Sequence, residues 1–139
     1  MKSWAEAARF RAGRSLIRVL VWLPVVAWAG FIFALSATPN LRFVESASLD
    51  FIVRKAGHMA AFGMLALLVW GALSYSQVRR AALVSLGLTV AYAASDEFHQ
   101  SFTAGRHPSP IDVGIDSAGA ALALLALTAG LRFWSRRSA

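Results

Sequence analysis

The chain has 139 residues, of which 58% are hydrophobic, and its formal net charge is +7. The length suits one domain, but a water-soluble domain of this size could not bury so much apolar surface. The basic residues lie at the ends of apolar runs and not on a polar face, so nucleic acid is not an expected partner. The absence of cysteine excludes disulfides and cysteine-ligated zinc sites.

Four apolar segments are each long enough to cross a bilayer, which requires about 17–25 residues. They cover residues 19–37, 56–75, 81–102 and 113–134. We therefore predict an all-α polytopic membrane protein with four transmembrane helices in a compact bundle. Pro24 lies inside the first segment and predicts a kink there. That segment is longer than the apolar part of a cleaved signal peptide, which favours a retained helix.

The chain divides into a membrane domain at residues 19–134 and two basic ends, residues 1–18 and 135–139. The stretch "WAEAARFRAGR" near the start fits two interpretations. It could form an amphipathic surface helix with Trp4 and Phe10 toward the bilayer, or a basic tail that only sets topology.

The distribution of Lys and Arg predicts the orientation, because basic residues concentrate on the cytoplasmic side. One side would carry ten of them: Lys2, Arg9, Arg11, Arg14, Arg18, Arg79, Arg80, Arg132, Arg136 and Arg137. The other would carry Arg42, Arg54, Lys55 and Arg106. We expect both termini in the cytoplasm and the loops at residues 41–50 and 104–110 outside.

Ionisable residues recur near the predicted outer ends of three spans. Helical spacing places Lys55, His58 and Phe62 on one face of the second span. In the third span, Glu97 and Gln100 share a face, and Asp96 and His99 lie beside it. In the fourth span, Asp112, Asp116 and Gly119 share a face. A charge facing lipid costs several kcal/mol near the bilayer centre, about 2.5–3.5 on the lenient scale. These side chains should therefore face the bundle interior and find partners.

The loop between the third and fourth spans supplies one more cation. Gly105 permits a sharp turn that aims Arg106 back over the third helix. We expect the closest ion pair of the cluster to join Arg106 to Glu97 or Asp112. Ser109 or Asp112 would cap the fourth helix.

The segments "RKAGHMAAFGML" and "EFHQSFTAGRHPSPIDVGIDSAG", together with "LSATP" at residues 35–39, resemble the VanZ-like family over residues 30–125. The matching positions are Lys55, His58, Phe62, Glu97, Gln100, Phe102, Gly105, Arg106, Ser109, Asp112, Asp116 and Gly119. Three positions depart from the family pattern: Arg54 stands for a frequent Asp, Phe62 for a Tyr, and Asp116 for the usual Asn.

The resemblance implies a small multi-pass protein of the bacterial cytoplasmic membrane. It also implies a link to low-level resistance to the glycopeptide teicoplanin, without specifying a biochemical activity. It implies neither a cofactor nor an oligomeric state.

The interpretation that we carry forward is a binding site open to the outer leaflet. Its ligand would be an anionic lipid or an undecaprenyl-linked cell-wall intermediate. The ligand-binding residues would be Lys55, His58, Glu97, Gln100, Arg106, Asp112 and Asp116, supported by Arg54, Phe62, Asp96, His99, Gly105, Ser109 and Gly119. Basic groups would contact phosphate, and the acids would hold those groups in place.

Three alternatives stay open. A purely structural cluster would pair Lys55 and Arg106 with the acids and lock the helix ends together. A membrane-embedded enzyme would use Asp96 and Glu97 with His58 or His99 for acid–base chemistry. No catalytic residue can be assigned, since no hydrolase or metal motif such as HExxH is present, and no metal site is expected. A transporter is disfavoured by four short spans without an inverted repeat.

Overall fold

A computed structural model of the protein describes residues 16–39, 41–106 and 108–138. Four helices account for most of this part: α1 (Leu23–Ser36), α2 (Ala47–Tyr75), α3 (Ala81–Gln100) and α4 (Pro110–Arg137). These described residues contain no β-strand, which confirms the all-α prediction. The predicted amphipathic helix around Trp4 and Phe10 lies outside the described residues.

Three helical segments are long and apolar enough to cross a membrane: Leu16–Ser36, Ala47–Tyr75 and Pro110–Arg137. The first includes a helical turn at residues 16–20 that breaks at Val21 and Trp22 before α1 begins, with Pro24 in the first turn of α1. The break therefore falls at the predicted kink, because proline cannot donate to the preceding turn.

Helix α3 has 20 residues, about 30 Å at the usual rise, so it matches a bilayer core in length. It is not among the three membrane-length apolar segments, because Ser85, Thr89, Asp96, Glu97 and Gln100 lower its hydropathy. The fourth span and the orientation of the termini thus stay predictions.

Helix α2 begins at Ala47, so the prediction of a loop through residue 50 was wrong, and the helix extends beyond the apolar span predicted from residue 56. Asp50 explains the early start. Its carboxylate accepts the Phe43 backbone N–H at 2.7 Å and lies 2.9 Å from Nε of Arg54 one turn later. A polar helical turn of this kind cannot be found from hydropathy, which detects only the apolar part of a helix.

The core lies along α2, whose Phe62, Leu65 and Val69 are buried against neighbouring helices. Apolar side chains on the outer faces are exposed instead: Leu83 of α3 is 63% exposed and Leu125 of α4 is 64% exposed. Large exposed apolar surfaces suit contact with lipid and not with water.

Helices α2 and α4 approach most closely at Gly63 and Gly119. A Cβ atom built on Gly119 would collide with the Met59 carbonyl, and one built on Gly63 would lie 3.2 Å from the Gly119 oxygen. Small residues allow such close backbone contact between membrane helices. The contact sets the register of the two helices and brings Asp116, one turn before Gly119, beside His58.

Helix α3 is attached to both α1 and α2 by hydrogen bonds to backbone carbonyls. Ser85 Oγ donates to the Ala66 oxygen at 2.6 Å, and Tyr92 Oη donates to the Ala29 oxygen at 2.7 Å. The polar ends of all four helices consequently meet at one end of the bundle, where α1 and α3 end and α2 and α4 begin.

Candidate functional site

A polar cavity of about 220 Å³ opens at that end of the bundle. Its wall contains every residue of the predicted ligand-binding set, Lys55, His58, Glu97, Gln100, Arg106, Asp112 and Asp116, together with Phe51, Arg54, Gly105 and Ile115. The structure therefore brings the predicted residues together, whereas their role in binding stays a prediction.

The cavity residues lie at one level along the bundle. At the usual rise, His58 is about 25 Å from Tyr75 and Glu97 is about 24 Å from Ala81, the residues at the opposite end of the bundle. Asp116 shares this level because it adjoins His58. These distances are close to the thickness of a bilayer core, which is about 30 Å.

Two contacts join α2 to α4 across the cavity. Lys55 Nζ donates to Asp112 Oδ1 in a hydrogen-bonded ion pair. His58 Nδ1 lies 3.5 Å from Asp116 Oδ2, which is long for a hydrogen bond. Asp116 is only 1% exposed, and neither carboxylate oxygen has a hydrogen-bond partner among the described residues. Its acceptors therefore remain unsatisfied.

Glu97 fixes the end of α3 to the start of α4. Its Oε1 accepts the Ser109 backbone N–H at 3.0 Å, and Ser109 Oγ in turn accepts the Ile111 N–H at 3.2 Å. Of the two predicted capping residues, Ser109 is the one that caps α4, in the position where serine is favoured. Glu97 thus faces the protein and not the lipid.

Arg106 does not pair with Glu97 or Asp112, so that prediction was wrong. Its Nη2 donates to the Leu35 carbonyl at 2.9 Å and contacts the Thr38 carbonyl at 3.4 Å. The carbonyls of the last turn of a helix lack partners within the helix, and a guanidinium satisfies them and the negative end of the helix dipole. Arg106 thereby ties the α3–α4 loop to the end of α1.

Local geometry explains the choice of partner. Gly105 has φ = 76°, and this left-handed residue turns the chain so that Arg106 reaches α1. Asp112 is already engaged by Lys55. The Nε of Arg106 is buried and has no hydrogen-bond partner among the described residues. Burial lowers the pKa of Arg106, but a guanidinium stays charged at neutral pH.

Asp96 forms a second, more deeply buried polar contact between α3 and α1. Its Oδ2 accepts from Ser36 Oγ at 2.7 Å and from Gln100 Nε2 at 3.0 Å. Ser36 is 1% exposed and was not among the predicted site residues. The sequence did hold a signal for Ser36, because it is a polar residue at the end of an otherwise apolar span, within the "LSATP" stretch.

His99 and Phe62 do not line the cavity. The His99 ring stacks on Phe33 of α1 with ring centroids 4.1 Å apart. Phe62 is fully buried beside Tyr92 and His58, with centroid distances of 6.0 and 6.2 Å. Both residues therefore pack the helices around the site. His107 lies outside the described residues.

Arg54 lines the cavity and is held by Asp50, which was also missing from the predicted site. The Nε of Arg54 lies at ion-pair distance from Asp50, but it makes no hydrogen bond. Asp50 escaped prediction because it belongs to the turn expected to be a loop.

An apolar groove of about 430 Å³ runs between α1 and α2 beside the polar cavity. Most of its wall is hydrophobic, including Trp28, Phe31, Ile32, Leu41, Phe43, Val53 and Met64. Arg54, His58 and Arg106 line both the groove and the polar cavity. The two spaces therefore adjoin at these three basic residues.

The described residues contain no group of three or more His, Cys, Asp or Glu arranged to hold a metal ion. The cavity wall carries ion-pairing and hydrogen-bonding groups. Its N–H donors suit phosphate or carboxylate oxygens, and its unpaired carboxylate oxygens suit hydroxyl donors.

A helical bundle with membrane-length apolar helices around a buried polar cavity defines a polytopic membrane protein. The family model described as VanZ/LLP1 matches residues 10–131. The chain belongs to this family, which confirms the resemblance found in the sequence. No curated protein and no solved structure is significantly similar to the chain.

Proposed function

We propose that the protein binds the anionic head group of an envelope lipid, or of an undecaprenyl-linked cell-wall intermediate, in its polar cavity. Arg106 carries this proposal. It lines the cavity, its only side-chain hydrogen bonds among the described residues go to carbonyls, and its Nε is buried without a partner. An unmet buried N–H costs about 1–3 kcal/mol, which a phosphate oxygen would recover.

The ion pairs favour Arg106 as the principal anion contact. Lys55 is paired with Asp112, and Arg54 is paired with Asp50. Among the described cations of the cavity wall, Arg106 is the one that forms no salt bridge with a carboxylate. Its Nη2 already donates to two carbonyls, so Nε and Nη1 are the guanidinium donors left for a phosphate oxygen.

Unpaired acceptors in the cavity narrow the chemical class of the ligand further. Asp116 has two carboxylate oxygens without hydrogen bonds, buried beside His58. A ligand with hydroxyl groups next to its phosphate would satisfy both kinds of cavity atom, because hydroxyls donate to carboxylates. Glycerol and sugar phosphates have this chemistry.

The side of the membrane follows from the basic residues. With both termini cytoplasmic, the cavity opens toward the outer leaflet of the bacterial cytoplasmic membrane. Lipid-linked cell-wall intermediates are exposed there, and glycopeptides act there. The link between VanZ-like proteins and teicoplanin resistance is consistent with this location.

Native mass spectrometry can test the proposal. Purified protein in detergent would be incubated with a bacterial lipid extract, and the retained lipids identified. We expect the wild type to retain an anionic lipid that Arg106→Ala loses. Arg79→Ala is the matched control, because Arg79 is exposed in the turn at the opposite end of the bundle. Equal retention by wild type and Arg106→Ala would contradict lipid binding and leave the purely structural role for the cluster.

Catalysis on the bound head group is a second candidate, favoured by the 3.5 Å contact between His58 and Asp116 in the cavity wall. A histidine oriented by a carboxylate is a common general base. Release of inorganic phosphate from a bound phosphate ester, abolished by His58→Ala, would favour the enzyme. Release that is unaffected by His58→Ala would exclude this pair as the catalyst.

A further inference from the structure

We propose that the apolar groove between α1 and α2 holds the hydrocarbon chain of the same molecule whose phosphate lies in the polar cavity. The ligand class is then a phosphate lipid with one hydrocarbon chain in the groove. This inference rests on the proposed function, since it places the chain relative to a head group bound at Arg106.

The shared wall of the two spaces is the first argument. Arg54, His58 and Arg106 line the polar cavity on one side and the groove on the other. An amphiphile has this same division, with an anionic group joined directly to an apolar chain. The basic residues stand at the junction, where the phosphate of such a molecule would lie.

The chemistry of the groove is the second argument. Its volume is about 430 Å³, and its wall is apolar except at Ser36, Arg54, His58 and Arg106. A hydrocarbon chain in the groove would therefore meet apolar side chains over most of its length. A second chain, where the lipid has one, would lie in the surrounding bilayer, which is equally apolar.

The groove also selects its ligand by shape and not by hydrophobic transfer. A chain that leaves the groove enters lipid, which is equally apolar, so burial by itself supplies little driving force. Affinity therefore has to come from the head group. The groove decides which head-group-bearing molecules can place their chain while the phosphate contacts Arg106.

Gly57 offers a clean way to fill the groove. It lines the groove on α2, and a Cβ atom at this position would meet nothing within 4 Å. Gly57→Leu therefore adds an apolar side chain at the groove wall, and its Cβ meets no clash. Gly71 lies on the same helix, has the same open space, and is absent from the walls of both the groove and the cavity. Gly71→Leu is the matched control.

The experiment measures binding of three probes to detergent-solubilised full-length protein. The probes are glycerol phosphate, palmitoyl lysophosphatidate and dipalmitoyl phosphatidate. We expect wild type to bind lysophosphatidate and the diacyl lipid alike, because a second chain can lie outside the groove in an equally apolar environment. Gly57→Leu should weaken lysophosphatidate binding about tenfold, equivalent to about 1.4 kcal/mol. It should leave glycerol phosphate binding unchanged, and Gly71→Leu should match the wild type for every probe.

The two proposals fail in different ways. Lysophosphatidate binding that is unchanged in Gly57→Leu but lost in Arg106→Ala would overturn the groove assignment and keep the head-group site. Equal loss in Gly71→Leu would overturn it as well, because the effect would not be local. Equal loss of glycerol phosphate and lysophosphatidate binding in Gly57→Leu would overturn the groove assignment too, because the effect would then lie at the head group. Binding that is indifferent to Arg106→Ala would overturn the proposed function itself.

Discussion

Gly119→Ala tests the close contact on which the geometry of the site depends. The added methyl group would collide with the Met59 carbonyl, and it would lie 2.8 Å from the Met59 carbonyl carbon and 2.9 Å from its Cα. Ordinary contacts of this kind are 3.4–4 Å. The atoms that it meets belong to the backbone of α2, so no side-chain rotation can relieve the overlap.

The magnitude follows from the distance that the helices must move. The overlap with the Met59 carbonyl oxygen is the largest, so α2 and α4 would have to separate by about 1 Å or more, and such a gap forfeits about half of the dispersion energy of the atoms facing it. Insertion of a methyl group into a packed interface typically costs about 1–3 kcal/mol. The separation would also draw Asp116 away from His58.

Gly114→Ala is the control, because Gly114 lies on the same helix and a Cβ atom there meets nothing within 4 Å. Both substitutions gain the same helix propensity, about 1 kcal/mol. The difference in the free energy of unfolding between the two variants therefore measures the effect of the clash alone. In unfolding by SDS in mixed micelles, followed by circular dichroism, Gly119→Ala should be about 1–3 kcal/mol less stable than Gly114→Ala. Equal stability of the two variants would refute the close-contact argument.

Two further predictions concern the cluster and the topology. Ser36→Ala should lower the free energy of unfolding by about 1–3 kcal/mol in the same assay, because it removes a buried donor to Asp96; no loss would mean that this hydrogen bond is dispensable. Cysteine introduced at Ser48 should react with an impermeant thiol reagent in intact cells and cysteine at Ser138 should not, since basic residues place the C-terminus in the cytoplasm. The reverse labelling pattern would show that the protein has the opposite orientation in the membrane.

Much of the architecture could be predicted along the chain. Apolar runs located the helices to within a few residues except at the start of α2, where Asp50 extends the helix into a polar turn. Helical spacing placed His58, Glu97 and Asp116 at one end of the bundle, and all three line the cavity. These predictions succeeded because they depend on helix rise and on the high cost of polar groups in lipid.

The partners of individual side chains were harder to predict. Arg106 was expected to bind a carboxylate, but it binds carbonyls at the end of α1. Asp96 was placed beside the cluster, and its main contact proved to be Ser36, 60 positions away. Opposite charge predicts which residues attract one another, but several acids and bases compete at this end of the bundle, and charge alone does not rank them.

The sequence by itself determined the class of protein, the level of the polar residues in the bundle and the family, because each depends on residue type and on spacing within one helix. Only the tertiary structure decided which atoms meet. The rotation of each helix about its axis directs its side chains, and contacts such as Gly119 against Met59 set that rotation. The apolar groove beside Arg106 likewise exists only between α1 and α2, so no single segment of the sequence could reveal it.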